Sequence, residues 1–164
     1  MATPIVSTID ITRTPDEVFS YVTDPSRFAE WQADVVAAHL EEEGPPTVGS
    51  RIVQTRRIGR AEWTQTQRIT QSERPNLWEA RGIDGPIRAT ATVTIEPLDR
   101  STRSRVTFAL DFEGPGIGRL LLPQVRRMAA KQAPRSYQRL KEHLENRNPH
   151  DRGGQPFPPG RGTP

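Results

Sequence analysis

The chain has no cysteine, few aromatic residues and no long apolar run. Without cysteine it can form neither a disulfide nor a thiolate site for metal or nucleophilic chemistry. No apolar segment approaches the length needed to cross a bilayer, and the first residues lack the basic and apolar regions of a signal peptide. The sequence therefore predicts a soluble, cytoplasmic protein.

A strong excess of either charge is also absent. Lysine and arginine number 23 against 20 aspartates and glutamates, which leaves a formal net charge of +3. The two signs are interspersed along the chain. Because a mixed surface of this kind gives little support for phosphate-backbone binding, no nucleic-acid partner is expected.

The length and the end of the chain predict one domain followed by a tail. At 164 residues the chain can bury the core of a single domain, which we assign to residues 1–147. Residues 148–164 are rich in glycine, proline and arginine and contain one aromatic residue, Phe157. Such a segment buries too little apolar surface to offset its ordering entropy, so it is predicted to be disordered.

The longest helical pattern runs from about residue 119 to residue 146. One face collects residues at steps of three and four: Leu121, Val125, Met128, Ala129, Gln132, Ser136, Tyr137, Leu140 and Leu144. A helix with one apolar face must pack against a partner, and a sheet is the available partner. Because Gln132 and Ser136 are polar, either the sheet supplies their partners or protein does not fill the space between sheet and helix.

The preceding residues predict a strand, two short helices and six more strands. Ile5 to Ile11 alternate in polarity, Thr14-Pro15-Asp16-Glu17 forms a capping box, and Phe28 and Trp31 mark a second short helix. The later strands are predicted at residues 34–42, 50–58, 61–71, 76–82, 87–96 and 104–112. The turn residues between them are typical of an antiparallel meander.

This order resembles the START-like (SRPBCC) superfamily with its Bet v 1-like helix-grip fold, particularly the polyketide cyclase/dehydrase-like bacterial branch. The likeness covers roughly residues 5 to 146 and rests on three stretches: Thr14 through Trp31, Val48-Gly49-Ser50-Arg51, and Gly118 through Glu142. It implies an α+β fold in which a curved antiparallel seven-stranded sheet wraps around the long C-terminal helix, with two short helices after the first strand. It also implies that a hydrophobic, lipid-like or polyketide-like molecule binds between sheet and helix.

Strand phase and the implied cavity select the candidate binding residues. They are Arg56, Trp63, Gln65, Gln67, Ala89, Ala91, Phe108, Leu121, Val125, Met128, Ala129, Gln132 and Ser136. Inward glutamines would bind ligand carbonyl or hydroxyl groups, unless their strand overhangs the helix and they are solvated. An inward Arg56 would bind a carboxylate or need an acidic partner such as Glu79, unless it extends to the rim.

The sequence identifies no catalytic residue. His39 would be a candidate base for an aldol cyclisation if it faced the cavity, but the neighbouring acidic turn, 41–43, favours a surface position. Metal-ligand spacings, a phosphate-binding glycine loop and a Ser-His-Asp arrangement are not apparent, so neither a metal nor a cofactor is expected.

Three functions are consistent with these features. The first is a monomeric or weakly dimeric carrier of a hydrophobic small molecule, and the second is a polyketide cyclase/dehydratase that uses Gln65, Gln67, Arg56 and His39. The third is a module for anionic membranes that would use the basic long helix and an apolar tip, Ile117 with residues 120–122. Because no buried acid or base is evident, the first is favoured, and peripheral membrane contact is an additional expectation.

Overall fold

A computed structural model describes residues 3–147, so the predicted tail, residues 148–164, lies outside the described part of the chain. The strands are β1 (Ile5–Ile11), β2 (Val35–Leu40), β3 (Arg51–Ile58), β4 (Ala61–Glu73), β5 (Leu77–Gly82), β6 (Arg88–Leu98) and β7 (Arg103–Glu113). The helices are α1 (Pro15–Val22), α2 (Phe28–Trp31) and α3 (Gly118–Asn146), with a 3₁₀ turn at Pro25–Arg27.

The strands form one seven-stranded antiparallel sheet in the order β1-β7-β6-β5-β4-β3-β2. Consecutive strands from β2 to β7 are neighbours, and β1 pairs with β7, where Ile5 lies opposite Leu110. The sheet curls around α3, with α1 and α2 between β1 and β2 in the chain. The predicted α+β helix-grip architecture is therefore confirmed.

The first short helix begins where the sequence predicted. The backbone N–H of Glu17 donates to Thr14 Oγ1 at 3.3 Å, and the backbone N–H of Thr14 donates to Glu17 Oε2 at 3.0 Å. Pro15 follows at the first helical position, where its missing N–H is not needed. This capping box sets the direction in which α1 leaves β1.

Both ends of α3 are fixed to the sheet side of the molecule. At its start, a side chain on Gly118 would place Cβ 1.9 Å from the carbonyl oxygen of Pro86, so only glycine permits this contact. At its end, the backbone N–H of Thr12 donates to Glu145 Oε1 at 3.0 Å, and Lys141 Nζ donates to the carbonyl of Asp10 at 2.8 Å. The middle of the helix therefore spans the curved sheet between two attachments.

The hydrophobic core lies under the C-terminal half of α3. Ala133, Tyr137, Leu140 and Leu144 are buried there together with residues of α1, α2 and the sheet. Leu140 is fully buried, as are Ile11, Val18 and Val106. The N-terminal half of the helix does not join this core in the same way, and the site lies beneath it.

Candidate ligand-binding cavity

A cavity of about 370 Å³ lies between the sheet and α3. This volume falls within the range of small-molecule sites. Its lining includes every residue predicted from the sequence: Arg56, Trp63, Gln65, Gln67, Ala89, Ala91, Phe108, Leu121, Val125, Met128, Ala129, Gln132 and Ser136. The fold thus brings these residues together around one space, while their role in binding a ligand stays a prediction.

Small side chains keep the middle of the cavity empty. Ala89 and Ala91 alternate on β6, and Ala129 lies on α3, so three positions along the walls carry only a methyl group. Close packing would favour larger side chains at positions between a sheet and a helix. The shortage of side-chain volume at these positions leaves room for another molecule.

Aromatic rings from four different elements close one end of the cavity. Phe108 of β7 stacks on Tyr137 of α3 with ring centroids 4.0 Å apart and an interplanar angle of 9°. Trp31 contacts Phe108 at 5.8 Å, and Phe28 lies 6.3 Å from both Trp31 and Trp78. Of this group only Phe108 was predicted to line the cavity. In the sequence Trp31 and Tyr137 lie on apolar helical faces. That pattern identifies them as cavity residues only once the positions of the helices are known.

The opposite end of the cavity is its mouth. Trp63 on β4 and Leu121 on α3 line it but remain 54% and 42% exposed. Ile58 at the end of β3 and the loop of residues 85–87 complete the rim. Trp63 therefore lies where a ligand would enter, with one part of its ring available to the interior.

Arg56 lies in a polar cluster on the cavity wall. Its Nη1 donates to both carboxylate oxygens of Asp34, at 2.8 and 2.7 Å, and its Nη2 donates to Gln32 Oε1 at 2.9 Å. A longer bond, 3.3 Å, joins Nη2 to Gln54 Oε1. The charge of Arg56 is thus matched by a carboxylate of the protein.

Glu79 was the wrong partner for Arg56. Val35 lies opposite Arg56 in the β2–β3 ladder, which brings the preceding residue, Asp34, beside the guanidinium. Glu79 lies on β5, where its carboxylate instead accepts from Thr70 Oγ1 at 2.6 Å and from Thr92 Oγ1 at 3.3 Å.

Three lining side chains carry donors that have no partner among the described residues. Gln54 is 1% exposed and its Nε2 makes no hydrogen bond, and the same holds for Nε1 of the buried Trp31. The hydroxyl of Tyr137, a residue only 7% exposed, makes no hydrogen bond with another described residue. Buried donors are satisfied in most folded proteins, so the unpaired Gln54 Nε2 and Trp31 Nε1 in the lining of an empty space indicate polar contacts available to a ligand.

The phenol of Tyr137 is held in its protonated form. Burial raises the pKa of the hydroxyl, and the positive charge of Arg56 opposes this effect without overcoming it. Tyr137 can therefore donate a hydrogen bond at any ordinary pH. Ser136, which was also predicted to line the cavity, already accepts a hydrogen bond from the backbone N–H of Ala33 at 3.0 Å.

His39 does not belong to the site. It is exposed on β2 and is absent from the cavity lining, so the surface position that the acidic turn favoured is confirmed and the alternative role as a cavity base is wrong. Among the described lining residues Asp34 is the one carboxylate, and Arg56 occupies both of its oxygens. In residues 3–147 no group of three or more His, Cys, Asp or Glu side chains is arranged to hold a metal ion.

The curled sheet, the long helix and the cavity between them define a helix-grip protein of the START-like class. Residues 3–145 match the family described as "Polyketide cyclase / dehydrase and lipid transport". The chain belongs to this family. Comparison with curated proteins found no match.

Several solved structures share the fold. The Zhui aromatase/cyclase from Streptomyces sp. R1128 is 15% identical with a TM-score of 0.72, covering 92% of this chain and 98% of that one. A START superfamily protein from Mycobacterium smegmatis is 12% identical with a TM-score of 0.67, covering 88% and 98%. At such identities the likeness establishes the fold alone.

A third structure, the di-domain ARO/CYC BexL from the BE-7585A biosynthetic pathway, is 17% identical with a TM-score of 0.68. The match covers 88% of this chain but 47% of that protein, so this chain spans about half of its length. In the described residues of our protein, the helices are too short or too polar to span a bilayer.

Proposed function

We propose that the protein binds or carries a hydrophobic small molecule, lipid-like or polyketide-like, in the cavity between the sheet and α3. The observation that carries this proposal is an open, mostly apolar cavity of about 370 Å³ whose wall holds buried donors without partners among the described residues. Membership of a family named for polyketide cyclases and lipid transport supports the same class of ligand.

The size of the cavity limits the ligand. At about 370 Å³ it lies near the lower end of the range of small-molecule sites, which suits a few fused rings or one short acyl chain. The aromatic end, with Trp31, Phe108 and Tyr137, suits a flat body. A two-chain phospholipid would not fit without a large rearrangement.

The polar cluster suggests the functional group that the ligand presents. Tyr137 and Gln54 offer neutral donors, and Asp34 already neutralises Arg56. A neutral carbonyl or hydroxyl oxygen would therefore match the subsite better than a carboxylate, because a second anion would compete with Asp34 for the guanidinium. The proposed ligand is a compact apolar molecule with at least one such oxygen at one end.

Filling the cavity tests this proposal. Ala91→Trp would occupy the space opposite α3, so we expect loss of the fluorescence enhancement of a neutral apolar dye such as Nile red. Ala109→Trp is the matched control: it lies on β7 opposite Thr92, outside the cavity lining. Circular dichroism would verify that both variants fold. Equal dye binding by the two variants would contradict binding at this place.

Identification of the natural ligand needs a separate experiment. Native mass spectrometry of protein purified from its own host would show any co-purifying small molecule. The expected adduct is a compact oxygen-bearing compound that Ala91→Trp fails to retain and Ala109→Trp retains. An adduct retained equally by both variants would place the ligand elsewhere.

A polyketide cyclase is the second candidate, favoured by the protonated phenol of Tyr137 beside Arg56. A donor in that position would polarise a ketone oxygen and stabilise the developing enolate. The carrier stands first because the one lining carboxylate is engaged by Arg56, which leaves no free side-chain base in the described cavity. Conversion of a poly-β-ketone by the wild type, with turnover lowered in Tyr137→Phe and binding retained, would reverse this order.

A further inference from the structure

The mouth of the cavity carries most of the large hydrophobic side chains that the described chain exposes. Ile117 and Leu120 are 77% and 83% exposed at the start of α3, followed by Leu121 at 42%. Ile58 and Trp63, on the hairpin that joins β3 to β4, are 38% and 54% exposed. We call these five residues the mouth patch. An exposed apolar patch of this kind marks an interaction site.

The topology places both parts of the mouth patch at one end of the molecule. The β3–β4 hairpin, the β5–β6 loop and the start of α3 lie at this end, because the strands alternate in direction. Gly118 touches Pro86 of the β5–β6 loop, and Ile58, Trp63 and Leu121 line the same cavity. The patch therefore flanks one opening from the sheet side and from the helix side.

Arginines without acidic partners accompany the mouth patch. Arg60 lies at the tip of the hairpin and Arg119 and Arg127 lie on α3, and all three are exposed without an ion pair to another described residue. Of the nearby carboxylates, Glu62 pairs with Arg57 at 2.7 Å and Glu113 pairs with Arg81 at 2.9 Å. The exposed Asp84 of the β5–β6 loop accepts from the backbone N–H of Thr66 but has no ion pair to another described residue, so three unpaired arginines stand against one unpaired carboxylate. The free charge around the apolar side chains is thus positive.

We propose that the mouth patch docks the protein on the surface of an anionic lipid bilayer. Leucine, isoleucine and tryptophan side chains enter the headgroup boundary, while arginines beside them attract anionic lipids. A free phosphate would bind the arginines but leave the apolar side chains in water, so it would not account for both parts of this arrangement. Docking would set the opening of the cavity against the bilayer, so that an apolar molecule could pass between them without crossing bulk water.

Vesicle flotation of the full chain without added ligand tests docking independently of cavity binding. Wild type should float with phosphatidylcholine vesicles that contain phosphatidylglycerol, float far less with phosphatidylcholine alone, and dissociate as salt rises. Leu120→Glu should weaken binding at least tenfold, because it removes an apolar side chain that would enter the bilayer and adds a charge that anionic lipids repel. Arg119→Gln should weaken it about fivefold.

Matched controls come from the opposite end of the sheet. Val48, 58% exposed in the β2–β3 loop, and Arg100, exposed in the β6–β7 turn, lie at the strand ends away from the mouth. Val48→Glu and Arg100→Gln should leave flotation unchanged. Failure of the wild type to bind anionic vesicles would overturn the proposal, as would equal binding to neutral vesicles or equal losses in the control variants. Dye binding in the cavity would survive Leu120→Glu in either case, which separates this test from that of the proposed function.

Discussion

The two halves of α3 face the same sheet, yet one half makes a core and the other covers a cavity. In the C-terminal half Ala133, Tyr137, Leu140 and Leu144 are at most 7% exposed. In the N-terminal half Leu121 is 42% exposed, and its inward neighbours are only half-buried. The comparison teaches that the volume of the side chains, and not a different arrangement of helix and sheet, decides which part of a helix-grip fold is closely packed.

The largest expected effect comes from the same truncation in both halves. Leu140→Ala should lower the free energy of unfolding by about 2 to 5 kcal/mol, because a fully buried side chain leaves a cavity in the core. Leu121→Ala should change it by about 0.5 kcal/mol or less, since this residue is already partly in water. Urea denaturation of both variants measures the difference. Similar losses would show that the mouth is packed as tightly as the core.

A smaller effect, of opposite sign, is expected from the polar wall of the cavity. Gln54→Leu removes a buried Nε2 that has no partner among the described residues, together with one long hydrogen bond, 3.3 Å, from Arg56 Nη2 to Gln54 Oε1. Because the second loss offsets part of the first gain, the free energy of unfolding should stay level or rise by at most about 1 kcal/mol. Retention of an oxygen-bearing apolar dye such as Nile red should fall at the same time. Gln71→Leu, at an exposed position of β4, is the control and should alter neither quantity. A strongly destabilised Gln54→Leu would mean that this amide serves the fold and not a ligand.

The smallest expected effect concerns the attachment of the C-terminal half of α3 to β1. Burial raises the pKa of Glu145, but the backbone N–H of Thr12 and the charge of Lys141 outweigh it, so the pKa lies below its ordinary value of 4.5. A lowered pKa stabilises the fold above that value and stops doing so as pH falls through the native pKa. Glu145→Gln should therefore lower stability by about 0.5 kcal/mol at neutral pH.

The difference between Glu145→Gln and wild type should shrink as pH falls below 4.5 and vanish once the pH is below the lowered native pKa of Glu145. Thermal melts across the pH range measure this convergence. The exposed Glu142→Gln, one turn of α3 away, should match wild type at every pH. A constant deficit in Glu145→Gln would assign its effect to packing instead of charge.

The fold could be predicted from the sequence because each element carries a local signal. The capping box at Thr14, the alternation in β6 and β7 and the periodicity of α3 are all properties of short segments. Once the helix-grip resemblance placed α3 against the sheet, the alternation also selected the side chains that would line the space between them. Strand bounds differed by a few residues, chiefly at β2, which is Val35–Leu40 instead of 34–42.

The polar chemistry of the cavity could not be predicted in the same way. Asp34 meets Arg56 through the β2–β3 register, which contains an irregularity between Val35 and Ala37 that no local pattern indicates. The stacking of Phe108 on Tyr137 joins two elements through tertiary packing alone. Gln54 was not among the predicted lining residues, because a polar side chain in a mixed strand does not reveal which face of the strand is dry.

Because α3 is attached at its two ends, the residues that hold the fold together differ from those that line the middle of the cavity. Gly118 against Pro86, and Lys141 with Glu145 against the first strand, hold the helix without using any side chain from the middle of the cavity. Substitutions at Ala89, Met128 or Ala129 would then change the shape of the cavity while the sheet and α3 keep their relative positions. A few changes of side-chain size could therefore alter the ligand specificity of such a chain, which makes it a practical starting point for engineered receptors.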